Sequence, residues 1–376
     1  MDRCACRVDL DAIRANVGEL RRRASSAAVM AVVKADGYGH GLVPAARAAV
    51  AGGASWLGVA LVDEALALRA AGLRVPILAW LIGPGADVAA AARGGVDVGV
   101  SSRRGLAEAV AAAALVETPV RVQLKVDTGL GRGGAPAADW ADLVEAAAKA
   151  ESDGLVAVSG VWSHLAQADV PDHPSVTAQL AEFRRALDVA AGAGLDPQVR
   201  HLANSAATLT RPDLHFDLVR PGIAVYGVSP GPLVGSSAEL GLRPAMTLTA
   251  RVAHTKRVPA GHGVSYGHRY RTARASTLAL VPVGYGDGIP RSATNAAEVW
   301  LGGARRRISG TVCMDQFVVD MGDDPVADGD EVVLFGPGDA GEPTAHEWGL
   351  ACGTIGYEIV TRIGPRVPRV YVGTSP

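Results

Sequence analysis

Lys34 closes the apolar run Val29-Met30-Ala31-Val32-Val33 and opens the glycine-rich turn Ala35-Asp36-Gly37-Tyr38-Gly39-His40-Gly41. An amine leaving a strand into such a turn can be desolvated, which lowers its pKa and readies it for Schiff-base chemistry. The competing reading is a strand-end lysine reaching solvent. A second basic cluster follows at 121–127, where strict alternation puts Arg121, Gln123, Lys125 and Asp127 on one strand face. A lysine on an inward face needs a partner or a modification. The next residues, Gly129-Leu130-Gly131-Arg132-Gly133-Gly134, match a dinucleotide loop in form only. No acidic residue ends a strand about 20 residues on, so nicotinamide binding is not expected.

Further along, His201-Leu202-Ala203-Asn204-Ser205 starts a helix with Asn204 or Ser205 as its N-cap, and Arg220-Pro221-Gly222-Ile223 offers a backbone that a ligand can approach closely. Helix N-termini favour anions. Late in the chain come Gly263-Val264-Ser265-Tyr266-Gly267, Val283-Gly284-Tyr285-Gly286-Asp287-Gly288, Cys313-Met314-Asp315-Gln316 and Thr354-Ile355-Gly356-Tyr357-Glu358. A glycine-flanked tyrosine is ordinarily a turn residue with a snorkelling hydroxyl. Cys313 sits in no nucleophile or metal pattern and reads as a small pocket-lining residue. Cys4-x-Cys6 lacks a second ligand pair, so no metal site is expected.

The elements that must carry these residues are legible as a repeat. Short β-rich runs at 29–33, 56–60, 77–81, 96–100, 120–126, 155–162, 198–202 and 216–219 alternate with alanine-rich helical stretches such as 61–71, 104–115, 139–150 and 176–191. Eight βα units predict an α/β fold, a (β/α)8 TIM barrel, with active-site groups at the C-terminal ends of the strands and phosphate after strands seven and eight. Residues 230–237 read as a linker. Strand-like runs at 246–258, 277–283, 307–312, 317–320 and 331–335, without long helices, predict a mostly β C-terminal domain. The expected division is 1–232 and 233–376, with residues 1–10 a candidate to pair with the second domain.

Composition narrows the class. The 376 residues carry 36 basic and 38 acidic side chains, a net charge of −2 that argues against nucleic-acid binding. No uncharged stretch is continuous enough to span a membrane, and the start has no apolar signal segment, so a cytoplasmic protein is expected. Four scattered cysteines make no disulfide framework.

Taken together, in order and along nearly the whole chain, these motifs resemble the alanine racemase family, pyridoxal-phosphate enzymes with a barrel followed by a β domain. The resemblance implies that Lys34 binds the cofactor covalently and acts as one catalytic base, with Tyr266 the opposing base. It implies that Tyr38, Ser205, Gly222, Ile223 and Tyr357 hold the phosphate, Arg220 faces the pyridine nitrogen, and His164 supports the ring. It further implies that Arg132 and Met314 hold the substrate carboxylate, that Tyr285 and Asp315 line the entryway, and that Lys125 is a candidate for carbamylation, matching a lysine that often carries a carbamate in the family. A homodimer with shared active sites is also implied. Two departures are visible: Asp36-Gly37 stands where the family commonly has Asn-Ala, and Gly356 stands where Asn is common, which predicts a looser Tyr357.

The chemistry makes those types intelligible. Inverting Cα requires removing a proton on one face and returning one on the other, so two bases must flank the substrate. An unperturbed tyrosine, with pKa about 10, needs tuning, and Arg220 acting through His164 is the candidate. The alternatives at this stage are a racemase for serine or another small amino acid, and a non-enzymatic pyridoxal-phosphate carrier. The C-terminal region and Tyr266 argue against the carrier, and Arg220, where a decarboxylase has a carboxylate, argues against that reaction.

Overall fold

The computed structural model describes residues 3–24 and 26–373. Strand β1 (Cys4–Asp9) precedes eight parallel strands: β2 (Ala28–Val32), β3 (Trp56–Val59), β4 (Ile77–Ala79), β5 (Val96–Val100), β6 (Val120–Lys125), β7 (Val156–Trp162), β8 (Val199–His201) and β9 (Leu218–Val219). They pair in the order β8-β7-β6-β5-β4-β3-β2-β9, which makes a nearly closed barrel. Among the described residues no ladder joins β8 to β9. Instead the Asp217 N–H donates to the Arg200 carbonyl at 3.1 Å and the Arg220 N–H to the Ala203 carbonyl at 2.9 Å. The Arg200 guanidinium clamps the Asp217 carboxylate at 2.6 Å across the same seam.

Strands buried on both faces must be apolar throughout, and β3 and β5 are fully buried. Alanine-rich helices pack around them, the small side chains allowing close approach. Inside the barrel, Gly58 and Gly99 make room for Trp80: a Cβ at either position would lie 2.7 or 2.9 Å from it. That leaves the Trp80 indole in the barrel mouth.

The second domain holds β10 (Met246–Arg251), β11 (His254–Val258), β12 (Gly263–Val264), β13 (Tyr270–Arg271), β14 (Ser276–Val281), β15 (Glu298–Leu301), β16 (Ala304–Arg307), β17 (Phe317–Gly322), β18 (Glu331–Phe335) and β19 (Arg369–Val372). Its larger sheet has the order β16-β15-β18-β10-β1-β19, and β11-β14-β17 form a second sheet. The N-terminal β1 therefore lies between β10 and β19, antiparallel to the first and parallel to the second.

The expected strand at 246–258 is two strands in different sheets, separated at Val252 and Ala253. The expected strand at 307–312 is mostly loop, because Gly310 takes φ +88° and ends the extended run. Two short helices, Ala345–Cys352 and Gly356–Thr361, were not expected. Alanine, tryptophan and leucine in the first were too few to show a helical period. Tyr357 thus sits on a helix rather than a turn, and Gly356 is buried against Val228 and His346 at its start.

Candidate active site

Lys34 follows β2 directly. The residues after it, Ala35, Asp36, Gly37 and Tyr38, have φ of 53°, 54°, 61° and 52°, one turn of left-handed backbone that non-glycine residues rarely adopt. Side chains hold it there. Glu64 accepts from the Ala35 N–H at 2.7 Å and the Asp36 carboxylate from the Leu42 N–H at 2.7 Å. His40, fully buried, reaches the Gly37 and Tyr38 carbonyls through Nδ1 at 3.0 Å each, so Nδ1 carries its proton. The effect is to set Lys34 and Tyr38 against one cavity of about 690 Å³ at the C-terminal mouth of the barrel.

Among the described residues four cationic side chains line that cavity, Lys34, Lys125, Arg132 and Arg220, and no acidic one does. Such a site favours a ligand with more than one negative group. Burial and the charge of Arg132 lower the Lys34 pKa, against a smaller opposing effect of Glu64. Burial, Arg220 and Arg132 bring Lys125 down to about 8, and its Nζ lies 4.5 Å from the Trp162 ring centre.

On the opposite wall, Asn204 caps the helix Ser205–Thr210 through the Ala207 N–H at 3.1 Å. That frees the Ser205 hydroxyl, which accepts from the Gly222 and Ala224 N–H groups at 2.8 and 3.3 Å. With both acceptor positions used, its proton remains to be donated. Gly222 is required by space: a Cβ there would lie 2.3 Å from the Tyr38 hydroxyl. Burial pushes the Tyr38 and Tyr357 phenols upward, so both remain hydroxyl donors. Three hydroxyl donors beside a tight glycine turn suit a phosphate. We expect Gly222→Ala to weaken phosphate-bearing cofactor binding at least tenfold, measured by titration of absorbance, while the protein stays folded; unchanged affinity would contradict the cradle.

Arg220 is buried beneath the same cavity. It donates to the His201 Nδ1 at 2.9 Å, to the Ser163 carbonyl at 2.6 Å and to the Leu202 carbonyl at 3.2 Å, and touches the His164 Nδ1 at 3.4 Å. Burial lowers its pKa to about 9, still charged at neutral pH. Burial and Arg220 hold His164 and His201 well below the usual histidine range, which keeps both rings neutral. The His201 Nε2 donates to the Gln123 side-chain carbonyl at 2.7 Å, and Gln123 donates to buried Asp97 at 2.9 Å. Asp97 also takes Arg121 and Ser159, at 2.7 and 2.6 Å.

The glycine-rich segment after β6 is not a phosphate loop. Asp127 accepts from the Gly129, Leu130 and Gly131 N–H groups, so the amides a dinucleotide would need are taken.

Family models match both parts of the chain: "Alanine racemase, N-terminal domain" over residues 8–230 and "Alanine racemase, C-terminal domain" over residues 245–371. The chain belongs to the alanine racemase family. It is 64% identical to the alanine racemase of Frankia casuarinae over 365 residues, covering 97% of this chain and 95% of that protein. It is 61% identical to that of Thermobifida fusca over 367 residues, covering 98% and 97%. The alanine racemase structure from D-cycloserine-producing Streptomyces lavendulae aligns with TM-score 0.99 at 56% identity over 100% of this chain and 98% of that one. The Streptomyces coelicolor A3(2) enzyme gives 0.98 at 58% identity over 99% and 98%.

Of the family-type residues expected from sequence, Lys34, Tyr38, Lys125, Arg132 and His164 line the cavity, as do Ser205, Arg220, Gly222, Ile223 and Tyr357. Tyr266, Tyr285, Met314 and Asp315 do not line it. They stand exposed on the second domain, Tyr266 at 74%. Cys313 is not among the lining residues; it packs against the Ser265 hydroxyl at 3.3 Å. Sequence reasoning missed Trp80 and Trp162 in the cavity wall and the Asp97–Gln123–His201 chain behind Arg220. An acid alone in the apolar run Val96-Asp97-Val98 was the available signal.

The lowered Lys125 pKa has a testable sign. Between about 8 and the ordinary 10.5 the unfolded chain holds a proton that the folded chain does not, so stability rises with pH across that window. In CO2-free buffer, Lys125→Met is expected to flatten that rise in melting temperature, and identical slopes for both proteins would contradict the assignment.

Proposed function

We propose that this chain interconverts L- and D-alanine, with pyridoxal 5'-phosphate as its cofactor, as a cytoplasmic homodimer with shared active sites that supplies D-alanine for peptidoglycan. The observation that carries the reading is the barrel-mouth cavity, with a desolvated amine on one wall, hydroxyl phosphate donors on another and a buried arginine beneath. Alanine racemases are pyridoxal-phosphate enzymes, and the donor set fits that group. Among the described residues no helix is long and apolar enough to cross a membrane. We also propose the division at residue 232, with β1 belonging structurally to the second part.

Bound at Lys34, the cofactor supplies an electron sink for the charge left when a proton leaves Cα. Every other role falls to the protein. Tyr38, Ser205 and Tyr357 would donate to its phosphate, with the Gly222 and Ile223 backbone beside them. Arg220, charged and held by the neutral His201, would face the ring nitrogen as a hydrogen-bond donor too weakly acidic to protonate it. His164 supports the ring. Arg132, with Met314 of the second chain, orients the substrate carboxylate by charge-assisted hydrogen bonding. Lys34 serves one face of Cα and Tyr266 of the second chain the other. Tyr285 and Asp315 then narrow the entrance, which selects small side chains.

Lys125 fits a carbamate. An amine with its pKa near 8 is partly neutral at physiological pH and can add to CO2, releasing one proton and leaving an anion beside Arg132. The test of function is conversion of pure L-alanine to D-alanine by purified, cofactor-loaded protein, followed by chiral chromatography with serine in parallel. Equal rates on alanine and serine would overturn the alanine assignment, and no conversion of either would overturn the reading.

A further inference from the structure

Tyr266 lies in a segment whose backbone is unusually strained. Ser265, immediately before it, takes φ 57° and ψ −172°, a region occupied almost solely by glycine, and Gly267 and His268 follow with φ of 73° and 44°. A conformation of this kind persists only where neighbouring groups over-determine it. The loop 310–313 supplies those groups. The Ser265 hydroxyl donates to the Thr311 carbonyl at 2.6 Å, and the Thr311 hydroxyl donates to the Tyr266 carbonyl at 2.8 Å. Thr311 is 3% exposed, so both bonds are buried at its end. Asn295 adds a third tie: its side-chain carbonyl accepts from the Gly310 N–H at 2.6 Å and its amide donates to the Arg269 carbonyl at 3.0 Å.

These bonds fix the backbone on both sides of Tyr266 and leave its ring exposed. They also join Tyr266 to the loop carrying Met314, because the Thr311 strand of contacts runs directly into the Cys313–Gln316 turn. We propose that Ser265 and Thr311 form a reciprocal clamp that positions the Tyr266 phenol for proton transfer, which makes both of them positioning residues for one half of the reaction. The proposal rests on Tyr266 being the second base. Among the described residues neither clamp residue lines the Lys34 cavity of its own chain, so its loss acts through Tyr266, on one face of Cα.

That asymmetry is measurable. Because L- and D-alanine have equal free energy, the kcat/KM values of the two directions must remain equal in any variant. The primary deuterium isotope effects from Cα-labelled substrate need not, since each direction begins with a different base. In Thr311→Val, which keeps the shape and removes the hydroxyl, turnover should fall about tenfold, as expected for one part-buried hydrogen bond. The isotope effect should rise for one enantiomer only. Thr311→Ser should restore most of the rate, and Ser265→Ala should reproduce the Thr311→Val pattern. In the full-length protein, with or without cofactor, amide exchange across residues 263–271 should quicken in Thr311→Val while cofactor absorbance is unchanged.

Equal changes for both enantiomers, no change for either, or failure of Thr311→Ser to rescue would overturn the clamp. If Thr311→Val does not fold, Ser265→Ala decides by the same isotope and exchange readouts. Tyr266→Phe separates the two ideas. A one-sided isotope effect there without one in Thr311→Val rejects the clamp alone, whereas no one-sided effect in Tyr266→Phe rejects the base assignment beneath it.

Discussion

Lys34→Ala is expected to lower racemisation by at least about 10⁴-fold, because it removes both the covalent attachment point of the cofactor and one of the two bases. It is also expected to abolish the visible absorption of the lysine-bound cofactor while leaving the fold intact. The direction of the Lys34 pKa explains the second part. Burial and Arg132 disfavour its charged form, so the protonated amine opposes folding and its removal relieves that cost. The melting temperature of the cofactor-free variant should therefore equal or exceed that of the parent. A small added amine should recover part of the activity by occupying the vacated volume. A variant that retained the band, or lost activity only by unfolding, would show that another group carries the attachment.

Tyr266→Phe is expected to reduce turnover by about 10²–10³-fold with cofactor binding unchanged, the range that a positioned general acid–base group supplies. The two losses differ in kind. Lys34 sits on a strand end within the barrel, half-buried against Trp80 and Tyr38, whereas the Tyr266 ring is exposed on the second domain. Loss of Lys34 should therefore show in the absorption spectrum and loss of Tyr266 should not. Proton exchange separates them again. In deuterated solvent, Tyr266→Phe should still wash the Cα proton out of one enantiomer while converting little of it, and equal washout from both would contradict a two-base site.

The barrel was readable because its strands are buried on both faces and so appear as continuous apolar runs, punctuated by alanine-rich helices. Its cavity was readable because chemistry-bearing residues such as Lys34, Ser205 and Arg220 fall at strand ends, where a barrel exposes them. What stayed hidden had no local signature. Residues 1–10 read as a candidate to pair with the second domain, and Cys4–Asp9 does so; its exact place between Met246–Arg251 and Arg369–Val372, more than 230 residues away, is a choice made by tertiary packing. The left-handed turn after Lys34 contains Ala35, Asp36 and Tyr38 at positive φ, which no propensity would assign to them. The support behind Arg220 runs through Gln123 to Asp97, contributed by different strands and assembled only by closure. The separation of Tyr266 from the cavity was implied only by the family resemblance, through shared active sites; the residues themselves list both bases without saying whether one chain brings them together.

That separation makes a mixed assembly the most direct test of the account. Lys34→Ala and Tyr266→Phe chains are each nearly inactive alone. If each site takes Lys34 from one chain and Tyr266 from its partner, a heterodimer of the two variants holds one intact site and one doubly defective site. Random re-pairing of equal amounts should then recover about a quarter of the parent activity in a two-fold symmetric dimer. Verified heterodimers with no recovered activity would contradict a two-base site shared between chains.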